Sequence, residues 1–582
     1  MRGEKRRLIV RNSGLWQLLV PYRKQVFLLV LFSVAGNGTN LLLPRLIGTG
    51  INRFQFDHHV PLDLADDFIA ACLTIWIFTA IQTLVQVTTA ERVARDLRSR
   101  LAAKISQQTF QFVQETQPSR LLTNLTGDVD AVKIFVSDVI AGLLSSALIL
   151  VGATLMLLNL NWRLALAVMA VVPAIGVVFA LVLRQVRPYF KETRQVYDSL
   201  NKVINESVLG AALIRVVDGA QDECGQFEKI NDRARSVGLT ILRKFALMVP
   251  VVSLMTQVAS VIILAQGGTS VVRGTMTVGD LATFNGYLAI VILPVFIIGF
   301  MNGLIAQAQA AFTRLQDVLE ASSPKPGKQV QANLTGAVEM RRLCLNFGEK
   351  PALKDIDLQV RPGTRTAILG PTAAGKTQLL YLLMGLTKPT SGEILLDGRP
   401  VEDFDKKSFH RQVAMVFQES ILFHMSVREN VAFAQDVDDA AWKLAVETAE
   451  LGAFLENLPD GDKTIVSERG TSLSGGQKQR LMLARALALR PKILLLDDFT
   501  ARVDGPTERK ILANLSHNYP GLTLLAVTQR ISTIQDYDYI ILLMQGEVVA
   551  QGTHELLLGS SPEYQQIFES QKSTQEYDLP TE

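Results

Sequence analysis

The 582-residue chain is 48% hydrophobic and only 19% charged, too apolar for an ordinary soluble enzyme and long enough for several domains. Its formal net charge of +3 is too small, and its basic residues too scattered, for a nucleic-acid partner. Cys72, Cys224 and Cys344 lack metal-ligand or disulfide-framework spacing and are read as packing residues.

Taken in chain order, the N-terminus carries Arg2, Lys5, Arg6, Arg7 and Arg11. It lacks an apolar core followed by a small-residue cleavage point, so no signal peptide is read there. Within residues 1–20, the stretch Gly14–Leu19, with Leu15, Trp16 and Leu18, predicts a short helix lying along a membrane surface. Six apolar stretches follow, near 21–50, 66–92, 136–160, 162–186, 244–272 and 279–304. Each is long enough to cross ~30 Å of hydrocarbon as a helix of ~20 residues. Pro44, Pro173, Pro250 and Pro294 fall inside them and are tolerable, because packed neighbours re-satisfy freed backbone groups.

Lys and Arg collect at the N-terminus and at Arg92–Lys104, Arg184–Arg194 and Arg233–Lys244, all on one side of a six-crossing topology. The opposite side receives the acidic, His-containing stretch Phe54–Asp67, so a multi-pass protein of a prokaryotic cytoplasmic membrane with both termini in the cytoplasm is expected. The stretches Arg92–Lys133 and Arg184–Lys244 are too polar for lipid and too long for turns, so the helices are expected to run into the cytoplasm and return. Asn37, Asn40, Gln257, Asn285 and Asn302 either line a passage or hydrogen-bond between helices. No acidic residue lies near a segment midpoint, which argues against ion coupling.

A linker over 322–332, marked by Ser322–Gly327, ends the membrane domain of 21–321. From 333 to 570 the pattern becomes α/β, with strands predicted at Arg365–Leu369, Ile394–Leu396, Ala414–Phe417, Ile493–Asp497, Leu522–Val527 and Tyr539–Met544. The polar tail 571–582 is expected to be disordered. The fold class is therefore an α-helical domain of six transmembrane helices with long cytoplasmic extensions, followed by an α/β P-loop domain.

The run Gly370, Pro371, Thr372, Ala373, Ala374, Gly375, Lys376, Thr377 fits G-x-x-x-x-G-K-[ST]. Such a loop, continuing through Gln378, turns backbone N–H groups and a helix start toward phosphate oxygens. Lys376 adds a point charge, and the Thr377 hydroxyl is a candidate Mg²⁺ ligand. About a hundred residues later Leu473-Ser474-Gly475-Gly476-Gln477 precedes a helix, and the apolar strand Ile493–Leu496 ends in Asp497, whose carboxylate can hold the same Mg²⁺. Three ordered motifs at this spacing describe a site for ATP and Mg²⁺.

Six crossings followed by a P-loop domain with Leu473–Gln477 resemble a half-transporter of the ATP-binding cassette exporter type over nearly the whole chain. The resemblance implies that Gln418 belongs to a glutamine loop that contacts nucleotide and metal, that Phe347 stacks on adenine, and that Asp504 ends the D-loop. It further implies that Thr464–Gly470 is the exporter-specific loop, and that Thr123–Val129 and Asn205–Val216 are the two coupling loops. ATP would lie between the P-loop of one subunit and Ser474, Gly475, Gly476 and Gln477 of another.

Two catalytic positions depart from the family pattern. Asp498 stands where a Glu normally polarises the attacking water, and Gln529 where a His senses the γ-phosphate. Asp is one methylene shorter, which sets the carboxylate back by roughly an ångström, and such a misplacement can cost on the order of 10²-fold in rate. Ala373 also replaces a P-loop glycine, and the D-loop reads Thr500-Ala501-Arg502-Val503-Asp504. The expectation is a subunit with an impaired site of its own, paired with a half-transporter carrying Glu and His, in contact with membrane lipid and exporting amphipathic small molecules, lipids or peptides. A homodimeric exporter or flippase, an exporter-fold importer and an ATP-regulated channel are the other readings these residues leave open.

Overall fold

The computed structural model describes residues 15–58, 62–322, 330–348, 350–433 and 437–577. The basic N-terminal cluster and most of the Ser322–Gly327 linker lie outside them. The chain forms two compact units, one of Met1–Ser106 with Gln117–Ala321, the other of Gln107–Thr116 with Ser322–Glu582.

In the first unit six apolar helices run over Leu15–Asp57, Leu62–Ser106, Pro118–Leu160, Trp162–Leu209, Ala220–Val272 and Val278–Leu319. The first begins with a 3-10 turn, Leu15–Tyr22, at the expected interfacial segment. With 42 to 53 residues apiece, at ~1.5 Å rise each helix is about twice as long as a bilayer core is thick. The polar stretches are therefore prolongations of the spanning helices, tied by bidentate Arg314–Asp128 (3.0 and 2.5 Å), by Arg98–Asp130 (2.7 Å) and by Lys133–Glu91.

Small residues bring the first and sixth helices together. A Cβ on Gly48 would lie 2.0 Å from Thr283 Oγ1, and one on Gly286 2.9 Å from Pro44. Asn52 Oδ1 accepts from Gly279 N–H (2.8 Å) while its Nδ2 donates to Thr277 Oγ1 (2.8 Å). Thr277 and Asp280 form the capping box that starts the sixth helix. Tyr287, fully buried, donates its hydroxyl to Leu41 O at 2.7 Å. Asn37 donates to Ser33 O (2.8 Å) and Ser145 Oγ (3.1 Å), so it joins helices. Asn285 is exposed on a groove of about 350 Å³ between the fifth and sixth helices.

The first coupling loop does not lie at Thr123–Val129. That run is inside the helix Pro118–Leu160, with Asn124, Asp128 and Val129 buried. The chain breaks earlier, where Gln117 takes φ +66° ahead of Pro118, and Gln107–Thr116 groups with the nucleotide unit instead. Gly127, inside that run, is absorbed in a π-helical segment, Asn124–Asp128. At the second site the helix ends at Leu209, and Ala211–Val216 forms a short helix with Leu209, Leu213 and Val216 exposed. Cys72 and Cys224 are exposed, contrary to the packing role expected, and Cys344 is half-buried.

The second unit contains two sheets. Strands β1 (Val338–Phe347), β2 (Lys350–Val360), β4 (Ser391–Leu396) and β5 (Arg399–Pro400) form an antiparallel sheet in the order β2-β1-β4-β5. Strands β3 (Arg365–Leu369), β6 (Val413–Val416), β7 (Ile493–Asp497), β8 (Thr523–Thr528), β9 (Tyr539–Met544) and β10 (Glu547–Gly552) form the other, ordered β10-β9-β3-β8-β7-β6. It is parallel except for β10. Every residue of β7 and β8 is buried, as expected of strands covered on both faces. The first part of the tail is ordered, residues 571–577 being the end of the helix Pro562–Tyr577; residues 578–582 lie outside the described residues.

Candidate active site

Parallel pairing decides which residues meet. Leu369 is opposite Thr528, Val527 opposite Asp497, and Leu496 opposite Val416. Gly370, Gln529, Asp498 and Gln418 therefore leave neighbouring strands at one carboxyl edge, the place where open α/β sheets bind ligands.

The P-loop follows β3. A Cβ on Gly370 would sit 2.0 Å from Leu543 O, and one on Gly375, at φ +97°, 2.8 Å from Ala352 O, so both positions require glycine. Pro371, Thr372 and Ala373 are exposed and Ala374 is buried. Ala373 adopts φ +64°, a left-handed conformation that suits glycine better. The loop feeds the helix Lys376–Leu383. Lys376 is buried, and its Nζ donates to the carbonyls of Gly370 (2.6 Å) and Pro371 (2.7 Å). Burial lowers its pKa against the opposing pull of Asp498 and Asp497.

Thr377 Oγ1 donates to Asp497 Oδ1 at 3.1 Å. Burial holds the Asp497 carboxyl above the usual carboxylate range, the Thr377 hydrogen bond and Lys376 opposing and Asp498 adding to the rise. Its Oδ2, like Gln378 Oε1, is buried without a partner. An amino group satisfied only by loop carbonyls, an orphaned carboxylate oxygen and a cradle that a Cβ would fill are what a phosphate chain with its cation completes. The residues fit ATP and Mg²⁺, with Thr377 and Asp497 as the candidate metal-side pair; the bound nucleotide supplies the phosphoryl chemistry.

Asp498 follows at φ +49°, with its N–H donating to Val527 O (3.0 Å). Gln529 Nε2 lies 3.5 Å from Thr372 Oγ1, which places it over the P-loop. Gln418 is exposed and makes no hydrogen bond among the described residues. The preceding Phe417 packs on Tyr381 (6.1 Å between rings), and Tyr381 meets Phe110 edge-on at 5.4 Å. Phe347 is exposed at the tip of the β1–β2 hairpin, whose Ala352 and Leu353 approach Gly375.

Ser474 and Gln477 form a capping box: Ser474 Oγ accepts from Gln477 N–H (3.3 Å) and Gln477 Oε1 from Ser474 N–H (2.9 Å). A Cβ on Gly476 would stand 2.8 Å from Arg502 O, which explains the small residue there. No hydrogen bond joins Ser474–Gln477 to the P-loop of the same chain among the described residues. Sequence reasoning missed Arg485, in the same helix. Burial pushes its guanidinium down to about 10, still protonated at neutral pH. It donates to Ile421 O, Asn430 O and Asn430 Oδ1, and touches the faces of Phe423 and Phe433. One arginine in a polar helix gives no sequence signal of this.

Comparisons with known proteins agree with this geometry. Residues 26–295 match the ABC transporter transmembrane region and 353–501 the ABC transporter domain. An ATP-dependent lipid A-core flippase of Syntrophus aciditrophicus (strain SB) is 29% identical over 84% of this chain and 82% of its own length. YfiB, an uncharacterized ABC transporter ATP-binding protein of Bacillus subtilis (strain 168), is 30% identical over 82% of this chain and 83% of its own. Among solved structures, a bacterial Atm1-family ABC exporter with ATP bound superposes with a TM-score of 0.79 at 22% identity, covering 94% of this chain and 98% of that one. The chain belongs to the ATP-binding cassette transporters, has their exporter fold, and is an ATP-driven multi-pass membrane protein with ATP and Mg²⁺ as cofactors.

Proposed function

We propose that this chain is the degenerate-site half of a heterodimeric exporter that moves amphipathic or lipid-like cargo out of the cytoplasm. One observation carries the reading: Lys376, Thr377, Asp497 and Ser474–Gln477 keep the groups that hold ATP and Mg²⁺, while Asp498 and Gln529 weaken those that position water and sense the γ-phosphate. The P-loop of this chain, closed by a partner's signature, holds nucleotide and hydrolyses it slowly. Its own capped Ser474 helix start completes the P-loop of a partner that carries Glu and His.

Exposed apolar residues Leu209, Leu213 and Val216 at the second coupling loop support docking on that partner. Both termini are cytoplasmic, since the nucleotide domain needs the cell's ATP. For the cargo, the groove lined by Thr256, Ser260, Asn285, Leu288, Ile292 and Phe296 offers an apolar wall with a polar edge, and several relatives are named lipid A-core flippases. The test is ATPase activity of the purified chain alone and with a candidate partner. Turnover on the order of 10²-fold lower in the absence of the partner is expected; full-speed hydrolysis by this polypeptide alone overturns the division of labour.

A further inference from the structure

The loop Thr528–Ile531 leaves β8 carrying Gln529, and the C-terminal helix Pro562–Tyr577 holds that loop from outside. Gln571 Nε2 donates to Gln529 O at 2.6 Å, and Gln571 Oε1 accepts from Ile531 N–H at 2.9 Å. One primary amide thus satisfies a carbonyl and an N–H two residues apart, the pairing that a neighbouring strand would offer. Neither backbone group has another partner among the described residues.

Gln571 is itself firmly placed. Tyr564, Ile567, Phe568 and Gln571 fall at i, i+3, i+4 and i+7, on one face of the helix. Tyr564 is fully buried with its hydroxyl 2.7 Å from His554 Nδ1, Phe568 meets the His554 ring edge-on at 5.5 Å, and Ile567 and Phe568 pack on the central core. The clamp therefore rides on two helical turns of packed side chains. At its other end Gln529 Nε2 reaches Thr372 of the P-loop.

We propose that Gln571 is the positioning residue of this loop: its amide fixes the Gln529 and Ile531 backbone, and so fixes the aim of the Gln529 side chain across the P-loop. The inference rests on the reading that Gln529 faces the γ-phosphate. Through it the C-terminal helix acts on how the site tells ATP from ADP.

The test uses the full-length chain in lipid nanodiscs, with its partner where one is required. Photolabelling of this chain by 8-azido-ATP, competed by ATP or by ADP, reads the ATP-over-ADP preference at its own P-loop. Gln571→Met keeps the length and packing of the side chain but neither hydrogen bond; it is expected to lower that preference about fivefold while ADP competition stays within twofold. Gln529→Ala should give a similar loss, and the double variant no further loss, because the two residues act through one element. Gln571→Glu, which still accepts from Ile531 but sets a carboxylate against the Gln529 carbonyl, should resemble Gln571→Met.

A merely structural role would instead lower the melting temperature and weaken both nucleotides together. Wild-type preference in Gln571→Met, or full additivity in the double variant, overturns the proposal. Rapid ATPase by the chain alone would end the division of labour between two sites and leave this prediction standing, since preference is read at this P-loop whichever site hydrolyses.

Discussion

In the membrane unit Asn37, Thr283 and Tyr287 each donate a hydrogen bond to a neighbouring helix and Asn52 accepts one, whereas Asp497 and Gln378 in the nucleotide unit each keep a buried oxygen without a protein partner among the described residues. Among the described residues, Ser146 Oγ is the membrane unit's sole buried side-chain polar atom left in that state. An unpaired buried acceptor costs roughly 1–3 kcal/mol; of the seven unpaired buried side-chain polar atoms in the nucleotide unit, Gln378 Oε1 and Asp497 Oδ2 adjoin Thr377 of the P-loop. Satisfied polar groups in the bundle are packing devices; the two unsatisfied ones beside Thr377 fit the nucleotide and cation proposed for this edge. Backbone strain does not divide the units in this way: Ala373 and Asp498 are left-handed at that edge, but so are His58, Gln117 and Asp218 in the membrane unit.

The largest expected effect would break this contrast by repairing the water-facing groups. Asp498→Glu with Gln529→His returns a longer carboxylate and an imidazole while the N–H bond to Val527 O continues to hold the backbone. Hydrolysis by the chain's own site should rise on the order of 10²-fold, measured as ATPase of the purified variant against wild type. ATP affinity should hardly move, because Lys376, Thr377 and Asp497 are untouched. An unchanged rate would overturn the proposal that Asp498 and Gln529 impair this site.

How much of this could be read from residues alone differs by element. β7 and β9 begin and end where Ile493–Asp497 and Tyr539–Met544 were expected, because an apolar run bounded by polar residues admits one reading when both faces are covered. β1 and β2 gave no such run. Their register shifts at Met340/Leu343 and Leu343/Leu345 and their exposed charges, among them Arg341 and Arg342, break the alternation. The first coupling loop, placed at Thr123–Val129 by resemblance alone, lies instead before the break at the left-handed Gln117 ahead of Pro118. The P-loop, Asp497 and the signature were legible because phosphate chemistry dictates residue types at fixed spacing. The Gln571 clamp was not, since it depends on a helix packing back across the sheet.

Glu508 tests whether the cost held near the edge is electrostatic. It is buried on the helix Gly505–Asn518, beside Thr528, Thr533 and Tyr537, and its carboxyl makes no hydrogen bond among the described residues. Burial pushes it up to about 7 from 4.5, against the opposing pull of Arg530 and Arg509. The unfolded chain binds this proton only below about 4.5 and the folded chain below about 7. Folding therefore takes up a proton between these values, and stability falls as pH rises through that window, the whole contribution being lost above it. Glu508→Gln removes the ionisable group, so it should be more stable than wild type at pH ~8 by about 1–3 kcal/mol, with the gap closing toward pH ~5. Calorimetric melts of the full chain at the two pH values read this directly; a gap of equal size at both would show that the carboxyl is not desolvated.

Ala373→Gly is the smallest expected effect and the sharpest on strain. At φ +64° the alanine methyl costs about 1 kcal/mol that glycine would not. Glycine in turn frees the unfolded chain by a similar amount, roughly 0.5–1 kcal/mol. The two terms nearly cancel, so the melting temperature should stay within about 2 °C. Ala373 is exposed, so loss of its methyl opens no buried cavity. ATP affinity then isolates the remaining possibility, that the methyl restricts the loop from closing on phosphate. If the cradle is already formed, as the close approaches at Gly370 and Gly375 indicate, affinity in Ala373→Gly should change by less than about threefold, well under 1 kcal/mol. A tenfold gain would place the cost in nucleotide binding instead, and would add Ala373 to Asp498 and Gln529 in the proposed impairment of this edge.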